Sequence, residues 1–178
     1  MTTVVLDAGH GGLNDPGAVY RNRKEKDDNL QLTLAVGRIL SENGVNVIYT
    51  RTEDVYETPY EKAQKGNLAN ADYFVSIHRN SSPYPNTYSG VESLVYSSYG
   101  LAYELAMNIN EQLVKVGYIN LGVNERPGLV VLRRTYMPSV LVEVGFINTD
   151  NDNWLLDSSF TDTANAIADG ILITIWEN

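Results

Sequence analysis

The sequence contains no cysteine and only two histidines among its 178 residues. The absence of cysteine excludes disulfide scaffolds, thiolate zinc sites, iron–sulfur clusters and cysteine nucleophiles. Basic residues are also few, 13 against 22 acidic ones, which gives a formal net charge of −9. A chain this acidic is poorly suited to bind phosphate backbones, so nucleic acid is not expected as a partner.

Long hydrophobic runs are missing as well. No apolar stretch approaches the roughly 18 residues that cross a bilayer, so no membrane span is predicted. The first residues lack the basic segment of a signal peptide and lead directly into a strand pattern. We therefore expect either a protein that is not exported by that route or a domain of a longer protein. The length suffices for one domain with a sizeable core.

Strand-like and helix-like apolar patterns alternate along the chain. Thr58 is a predicted helix N-cap, with Pro59 and Glu61 completing a capping box. This alternation predicts an α/β fold, a single three-layer domain whose mostly parallel, twisted sheet of about six strands carries helices on both faces. The strands are predicted at 4–6, 45–49, 73–77, 91–96, 128–132 and 140–144, and further helices at 32–40, 102–116 and 160–175.

The two histidines, His10 and His78, each follow a predicted buried strand. The carboxyl ends of parallel strands form the edge at which ligands bind. A single histidine there is usually structural, but two at one edge favour a metal site. Two imidazoles and a carboxylate suit a catalytic zinc, which keeps three protein ligands. Both Glu25, in the loop that His10 opens, and Glu143, near the end of the last strand, are candidates for the carboxylate.

Glu143 lies within an apolar segment, where an ionised carboxylate costs several kcal/mol to bury unless it is paired or used. One interpretation is a buried ion pair with Arg51 or Arg133. The other is a general acid/base beside a metal.

The glycines around His10 do not have the spacing of a nucleotide-binding loop, and no G-x-S-x-G elbow surrounds the serines near His78. We interpret Gly9, Gly11 and Gly12 as allowing a tight turn that points His10 into a cleft. A serine hydrolase is not expected.

Four motifs, in order from residue 7 to residue 148, resemble those of zinc-dependent N-acetylmuramoyl-L-alanine amidases of the amidase-3 type. The sequence departs from many members at Ala8, where they carry proline, and at Arg79, where they carry alanine. The motifs are DAGHGG at 7–12 followed by DPGA at 15–18, KEKD at 24–27, ADYFVSIHRN at 71–80 and MPSVLVEVGFI at 137–147, and TRT at 50–52 also follows its strand as in that family.

The resemblance implies that residues 1–178 are a catalytic domain that hydrolyses peptidoglycan. The bond would be the amide between the lactyl group of N-acetylmuramic acid and L-alanine of the stem peptide. It implies one zinc ion per chain, with Glu143 as the catalytic acid/base. We also expect Asp7 or another acceptor to orient His10 through its free ring N–H. The implied zinc ligands are His10, Glu25 and His78, and the expected substrate contacts are Arg51, Asn80 and Arg133.

Two alternatives stay open. One is another zinc peptidase, such as a carboxypeptidase, in which Arg51, Arg133 or Arg134 would hold a C-terminal carboxylate. The other is a catalytically silent domain that binds cell walls. The resemblance also implies an extracellular site of action at the cell wall, as for an autolysin or a phage endolysin. Neither a signal peptide nor a separate wall-binding module is visible in the sequence, and a holin route would leave no trace in it.

Overall fold

The computed structural model describes residues 1–178 and is built on a six-stranded sheet. The sheet strands are β1 (Thr3–Ala8), β4 (Asn46–Tyr49), β5 (Tyr73–Asn80), β6 (Val91–Val95), β7 (Asn120–Glu125) and β8 (Ser139–Phe146), and β2 (Val19–Tyr20) pairs with β3 (Arg23–Lys24) in a separate hairpin. The helices are α1 (Glu25–Glu42), α2 (Pro59–Leu68), α3 (Leu101–Val116), α4 (Val130–Arg133), α5 (Asp150–Ser158) and α6 (Phe160–Glu177).

The strand order across the sheet is β4-β1-β5-β8-β6-β7. The first four strands in that order are mutually parallel. Strand β6 runs antiparallel to β8, and β7 is parallel to β6. The predicted α/β class with a mostly parallel sheet of about six strands is therefore confirmed, with two strands reversed at one side.

The two faces of the sheet carry cores of different size. Alternate side chains of each strand point to opposite faces. On one face the strands pack against α1, α3 and α6 in the larger apolar cluster. On the other face Phe74 and Leu141 pack with Leu132 of α4 in a smaller cluster. His78 has the parity of Phe74 along β5, so it lies on the thinly covered face, where a cleft can form.

The predicted strand at 128–132 is wrong. Part of that segment forms the short helix α4, which packs Val131 and Leu132 against the sheet. A short apolar run that is buried from one side has no period that separates a strand from a helix. The sixth strand is instead β7, whose residues are largely exposed and polar because it lies at the sheet edge.

The termini of two helices differ in their agreement with the sequence prediction. Thr58 and Glu61 form the predicted capping box at the start of α2. The sequence predicts Glu25 in a loop, but α1 begins at this residue. Helix α5 was not predicted, because its sequence is polar and has a weak apolar face.

None of the helices combines the length and the apolar character that a membrane span requires.

Candidate metal centre

Three side chains from separate parts of the chain converge at the carboxyl end of the parallel strands. His10, Glu25 and His78 offer ligand atoms that lie within 4.8 Å of one another. His10 Nε2 is 3.3 Å from Glu25 Oε2, and His78 Nδ1 is 3.0 Å from Glu25 Oε1. Two imidazole nitrogens and one carboxylate are a donor set that zinc takes in catalytic sites. The residues present therefore fit a zinc ion.

The loop after β1 directs His10 toward His78. Gly9 N donates a hydrogen bond of 3.0 Å to Ile77 O, so the chain stays beside β5 beyond the last residue of the strand. A Cβ atom at Gly9 would lie only 2.3 Å from the His78 ring, which leaves room for glycine alone. His10 then adopts a φ of 60°, and Gly11 follows with a φ of 143°. This is the tight turn that the glycines predict.

Glu25 is held in place by donors on its two carboxylate oxygens. Oε2 accepts a hydrogen bond of 2.8 Å from Ala18 N. Oε1 accepts from Arg79 N at 3.1 Å and from Asn29 Nδ2 at 3.2 Å. Burial alone would raise the pKa of Glu25, but hydrogen bonds and charge from the two histidines lower it far below its ordinary value. The carboxylate is therefore ionised and fixed in orientation.

The outer partner of His10 is Asp15, not Asp7. Asp15 Oδ1 accepts a hydrogen bond of 2.7 Å from His10 Nδ1, which turns Nε2 toward Glu25. Burial disfavours the charged form of His10, but Glu25 and Asp15 raise its pKa to about 9. Asp7 instead pairs with Lys62 at 2.8 Å and accepts hydrogen bonds from Thr50 and Ser76.

Glu143 lies beside this cluster on β8, where it is the register partner of His78 on β5. Its Oε2 atom is buried and has no hydrogen-bond partner. Burial raises its pKa to about 7; Glu25 and Glu92 act in the same direction, and the two histidines oppose it. Glu143 forms no ion pair, so the interpretation of a buried pair with Arg51 or Arg133 is wrong.

Arg51 is 3% exposed, and its guanidinium is engaged with the backbone. This side chain supports the loop that carries His10 and does not line the cleft beside the histidines. Its acceptors are the carbonyl oxygens of Ala8 at 3.0 Å, Gly9 at 3.1 Å, Lys26 at 2.8 Å and Glu53 at 3.0 Å.

The other two expected substrate contacts differ in their location. Asn80 ends β5 near the site and donates a hydrogen bond of 3.2 Å to Glu92 Oε2. Arg133 lines a separate cavity with Tyr96 and Pro138. Tyr96 follows β6 and Pro138 precedes β8, so this cavity lies at the sheet edge opposite the metal centre. Asn80 therefore ends the strand that carries His78 without lining the cleft, and the structure does not bring Arg133 to the site.

A cleft of about 280 Å³ opens beside the histidines. One wall of the cleft comes from the segment before and within α4. The sequence predicts a strand for this segment and so gives no sign of that wall. The lining combines acidic and basic side chains with apolar residues. The lining residues are Asp7, His10, Asp15, Glu57, Pro59, Lys62, His78, Gly128, Leu129, Val130, Val131 and Leu141.

Comparison with known proteins gives one consistent result. A family model described as Amidase_3, N-acetylmuramoyl-L-alanine amidase, matches residues 4–172. The chain is 39% identical over 175 residues to the endolysin of Bacillus phage SPP1, an alignment that covers 94% of this chain and 64% of the endolysin. It is 36% identical over 166 residues to the sporulation-specific N-acetylmuramoyl-L-alanine amidase of Bacillus subtilis, covering 90% of this chain and 62% of that protein.

The fold is shared with solved structures at high coverage. The crystal structure of N-acetylmuramoyl-L-alanine amidase from Clostridium difficile 630 superposes with a TM-score of 0.93 at 32% identity, covering 99% of this chain and 98% of that one. The chain thus matches one solved structure over its whole length. It spans a little under two thirds of the endolysin and of the sporulation amidase, at 64% and 62%.

Proposed function

The chain belongs to the Amidase_3 family of N-acetylmuramoyl-L-alanine amidases, and we propose that residues 1–178 form a catalytic domain that cuts peptidoglycan. The bond is the amide between the lactyl group of N-acetylmuramic acid and the L-alanine of the stem peptide. The observation that carries this proposal is the convergence of His10, Glu25 and His78 beside an unpartnered carboxylate on the neighbouring strand, Glu143.

We assign His10, Glu25 and His78 as the ligands of one zinc ion per chain. The chemistry that zinc supplies in such a site is polarisation of the scissile carbonyl and a lowered pKa for water. Asp15 keeps the His10 ring oriented, and the donors around Glu25 keep its carboxylate ionised. Two of the donors to Glu25 are backbone amides, of Ala18 and Arg79, so this carboxylate is oriented without help from a metal.

Glu143 is assigned the proton transfers. Its Oε2 atom has no competing hydrogen bond, so it is free to accept a proton from the attacking water. The same atom then donates that proton to the amine of L-alanine as the amide bond breaks. In the metal-free protein burial raises the pKa of Glu143 to about 7, the direction that suits a group that must both accept and release a proton near neutral pH.

The carboxypeptidase alternative is disfavoured by the positions of the arginines. It needs a cation in the cleft to hold a C-terminal carboxylate. Arg51 is buried against backbone carbonyls, and neither Arg133 nor Arg134 lines the cleft. Lys62 does line it, but this side chain is bound to Asp7 and to the carbonyl of Ala8.

A silent wall-binding domain is disfavoured because a pure binder needs neither the three ligands nor Glu143. Since the substrate of this family is peptidoglycan, we propose that the protein acts outside the cytoplasm, at the cell wall. The route by which it reaches the wall is a separate matter from the chemistry of the site.

The test is product analysis of purified walls digested with the zinc-loaded protein. Mass spectrometry should find stem peptides with a free L-alanine amine and intact lactyl-muramic acid on the glycan. Release of a C-terminal residue alone would support the carboxypeptidase. Binding without any product would support the silent domain.

A further inference from the structure

A second groove opens next to the proposed metal centre. It has a volume of about 420 Å³ and is lined by Leu13, Asn14, Asp15 and Tyr56, and we call it the Tyr56 groove. Leu13 is 96% exposed and Tyr56 is 56% exposed. Single exposed apolar residues are ordinary, but here two of them flank one groove beside the proposed metal centre.

The walls of the Tyr56 groove are held rigidly. Gly12 N donates a hydrogen bond of 2.8 Å to Asp54 Oδ1. The buried Lys26 ammonium donates to Gly12 O at 3.0 Å and also pairs with Asp54. A Cβ atom at Gly12 would lie 2.9 Å from Cβ of Tyr56, so the two loops are in contact. Leu13 and Tyr56 are therefore exposed on a fixed framework, which lowers the entropy lost on binding.

The groove is continuous with the metal centre through one side chain. Asp15 lines both the Tyr56 groove and the cleft beside the histidines. Its Oδ1 atom accepts the hydrogen bond from His10 Nδ1. A ligand in the groove would therefore lie one side chain away from a proposed zinc ligand.

The charge of the groove selects between the two parts of peptidoglycan. Its lining contains one carboxylate, Asp15, and no cation. The stem peptide carries carboxylates, whereas the N-acetyl sugars of the glycan strand carry no charge in their rings or amides. Asp15 is paired with His10, so the lining has no free charge. It offers no cation to the carboxylates of a stem peptide, whereas a neutral sugar needs none.

We propose that the Tyr56 groove binds N-acetyl sugars of the glycan strand next to the bond that is cut, an inference that rests on the proposed function. The Tyr56 ring offers a flat apolar surface for the face of a sugar ring, with a hydroxyl at its edge. The Asn14 amide has both the donors and the acceptor that an acetamido group and hydroxyls require. Leu13 supplies an apolar contact for the acetyl methyl.

The first experiment measures sugar binding without metal. The metal-free full chain is titrated with tri-N-acetylglucosamine and followed by isothermal calorimetry and NMR. We expect saturable binding with shifts at Leu13 and Asn14. Tyr56→Ala should weaken it about 3- to 10-fold, the range for loss of one aromatic stacking contact, and Tyr56→Phe should retain it. Tyr99→Ala is the matched control, an exposed tyrosine beyond the far end of β6.

The result that overturns the proposal is equal binding by the wild type and Tyr56→Ala, or no binding at all. Binding of the stem tripeptide L-Ala-γ-D-Glu-L-Lys that Tyr56→Ala removes would also overturn it, because the groove would then hold the peptide. A second variant, Leu13→Ser, checks that the effect belongs to the groove and not to one ring.

A second experiment separates this proposal from the proposed function. With zinc-loaded protein and walls as substrate, Tyr56→Ala should raise KM and leave kcat nearly unchanged, since the groove lies beside the reacting atoms. An unchanged KM with normal amide cleavage would contradict the sugar site and leave the proposed amidase function supported. Sugar binding by a protein that cleaves no amide would support the sugar site and contradict the proposed function.

Discussion

Glu143 and His78 are register partners on the neighbouring parallel strands β8 and β5. The proposed proton carrier and a proposed zinc ligand are thus fixed by one strand pairing, on the same face of the sheet. A register shift of one residue would turn one of the two side chains to the opposite face. The relative position of the two groups therefore depends on the core of the sheet and not on a loop.

Replacing Glu143 by glutamine should separate catalysis from metal binding. Glu143→Gln keeps the shape but cannot accept the proton, so turnover should fall by about 10²- to 10⁴-fold. Zinc content should stay near one per chain, and the melting temperature should hold or rise because a buried charge is removed. Glu111→Gln, at an exposed position of α3, is the control. Loss of zinc with retained stability would make Glu143 a ligand.

Asp15 should affect zinc affinity without touching the metal. Asp15→Asn weakens the hydrogen bond that orients His10, and loss of such an outer partner typically lowers affinity about 10- to 100-fold. The fold should survive, because the Asp15 side chain is partly exposed. Competition with a zinc chelator measures the effect, and Asp162→Asn on α6 is the control. Equal affinities in all three proteins would contradict the role.

Removing the metal should lower the stability of the wild type. A ligand that binds only the folded state at 100 times its Kd contributes about 2.7 kcal/mol. The melting temperature should therefore fall on chelation and recover with zinc. His78→Ala should lose zinc and activity together, and its melting temperature should not respond to chelation. A zinc-dependent melting temperature in His78→Ala would argue against this ligand set.

The Asp7–Lys62 pair should make stability depend on pH. Burial would raise the pKa of Asp7, but Lys62 and His78, with hydrogen bonds from Lys62 and Ser76, lower it below its ordinary value. Because the folded-state pKa is depressed, the contribution is present above about pH 4 and is lost as the pH falls through the folded value.

Asp7→Asn leaves the Lys62 ammonium buried without its counter-charge, so it should destabilise the protein by about 3–5 kcal/mol at pH 7. The difference from the wild type should shrink toward pH 3, as measured by urea unfolding at both pH values. A difference that does not change with pH would show that the pair contributes nothing through its charge.

Arg79 should be strongly coupled to Asp28. The Arg79 side chain is 1% exposed and pairs with Asp28. It also donates a hydrogen bond of 2.8 Å to Asn153 Oδ1. Asp28→Ala leaves the buried Arg79 guanidinium without its counter-charge and should cost about 3–5 kcal/mol. Arg79→Ala should cost less, because Asp28 keeps its ion pair with Arg23. The double variant should lose less than the sum of the two, and additive losses in a double-mutant cycle would contradict the coupling.

Local patterns in the sequence determined much of the scaffold. Buried parallel strands occur in the sequence as short apolar runs, which can be recognised locally. Thr58 and Glu61 form a capping box whose contacts lie within one helical turn. The two histidines follow such runs, so their placement at one sheet edge was predictable from the strands alone. The four motifs in order were sufficient to indicate the family, because all four must occur together in one chain.

Tertiary structure decided the features that depend on contacts between distant segments. The sixth strand is Asn120–Glu125 because an edge position tolerates polar residues, a property without a local signal. Asp15, not Asp7, meets His10, because Asp7 faces Lys62 across 55 positions of sequence. Arg51 is buried because four backbone carbonyls converge on it only after β1, β4 and α1 pack together. Local periodicity in the sequence determines which face of a strand or helix a side chain lies on. The side chain that it contacts is determined by the packing of elements that are far apart in the sequence.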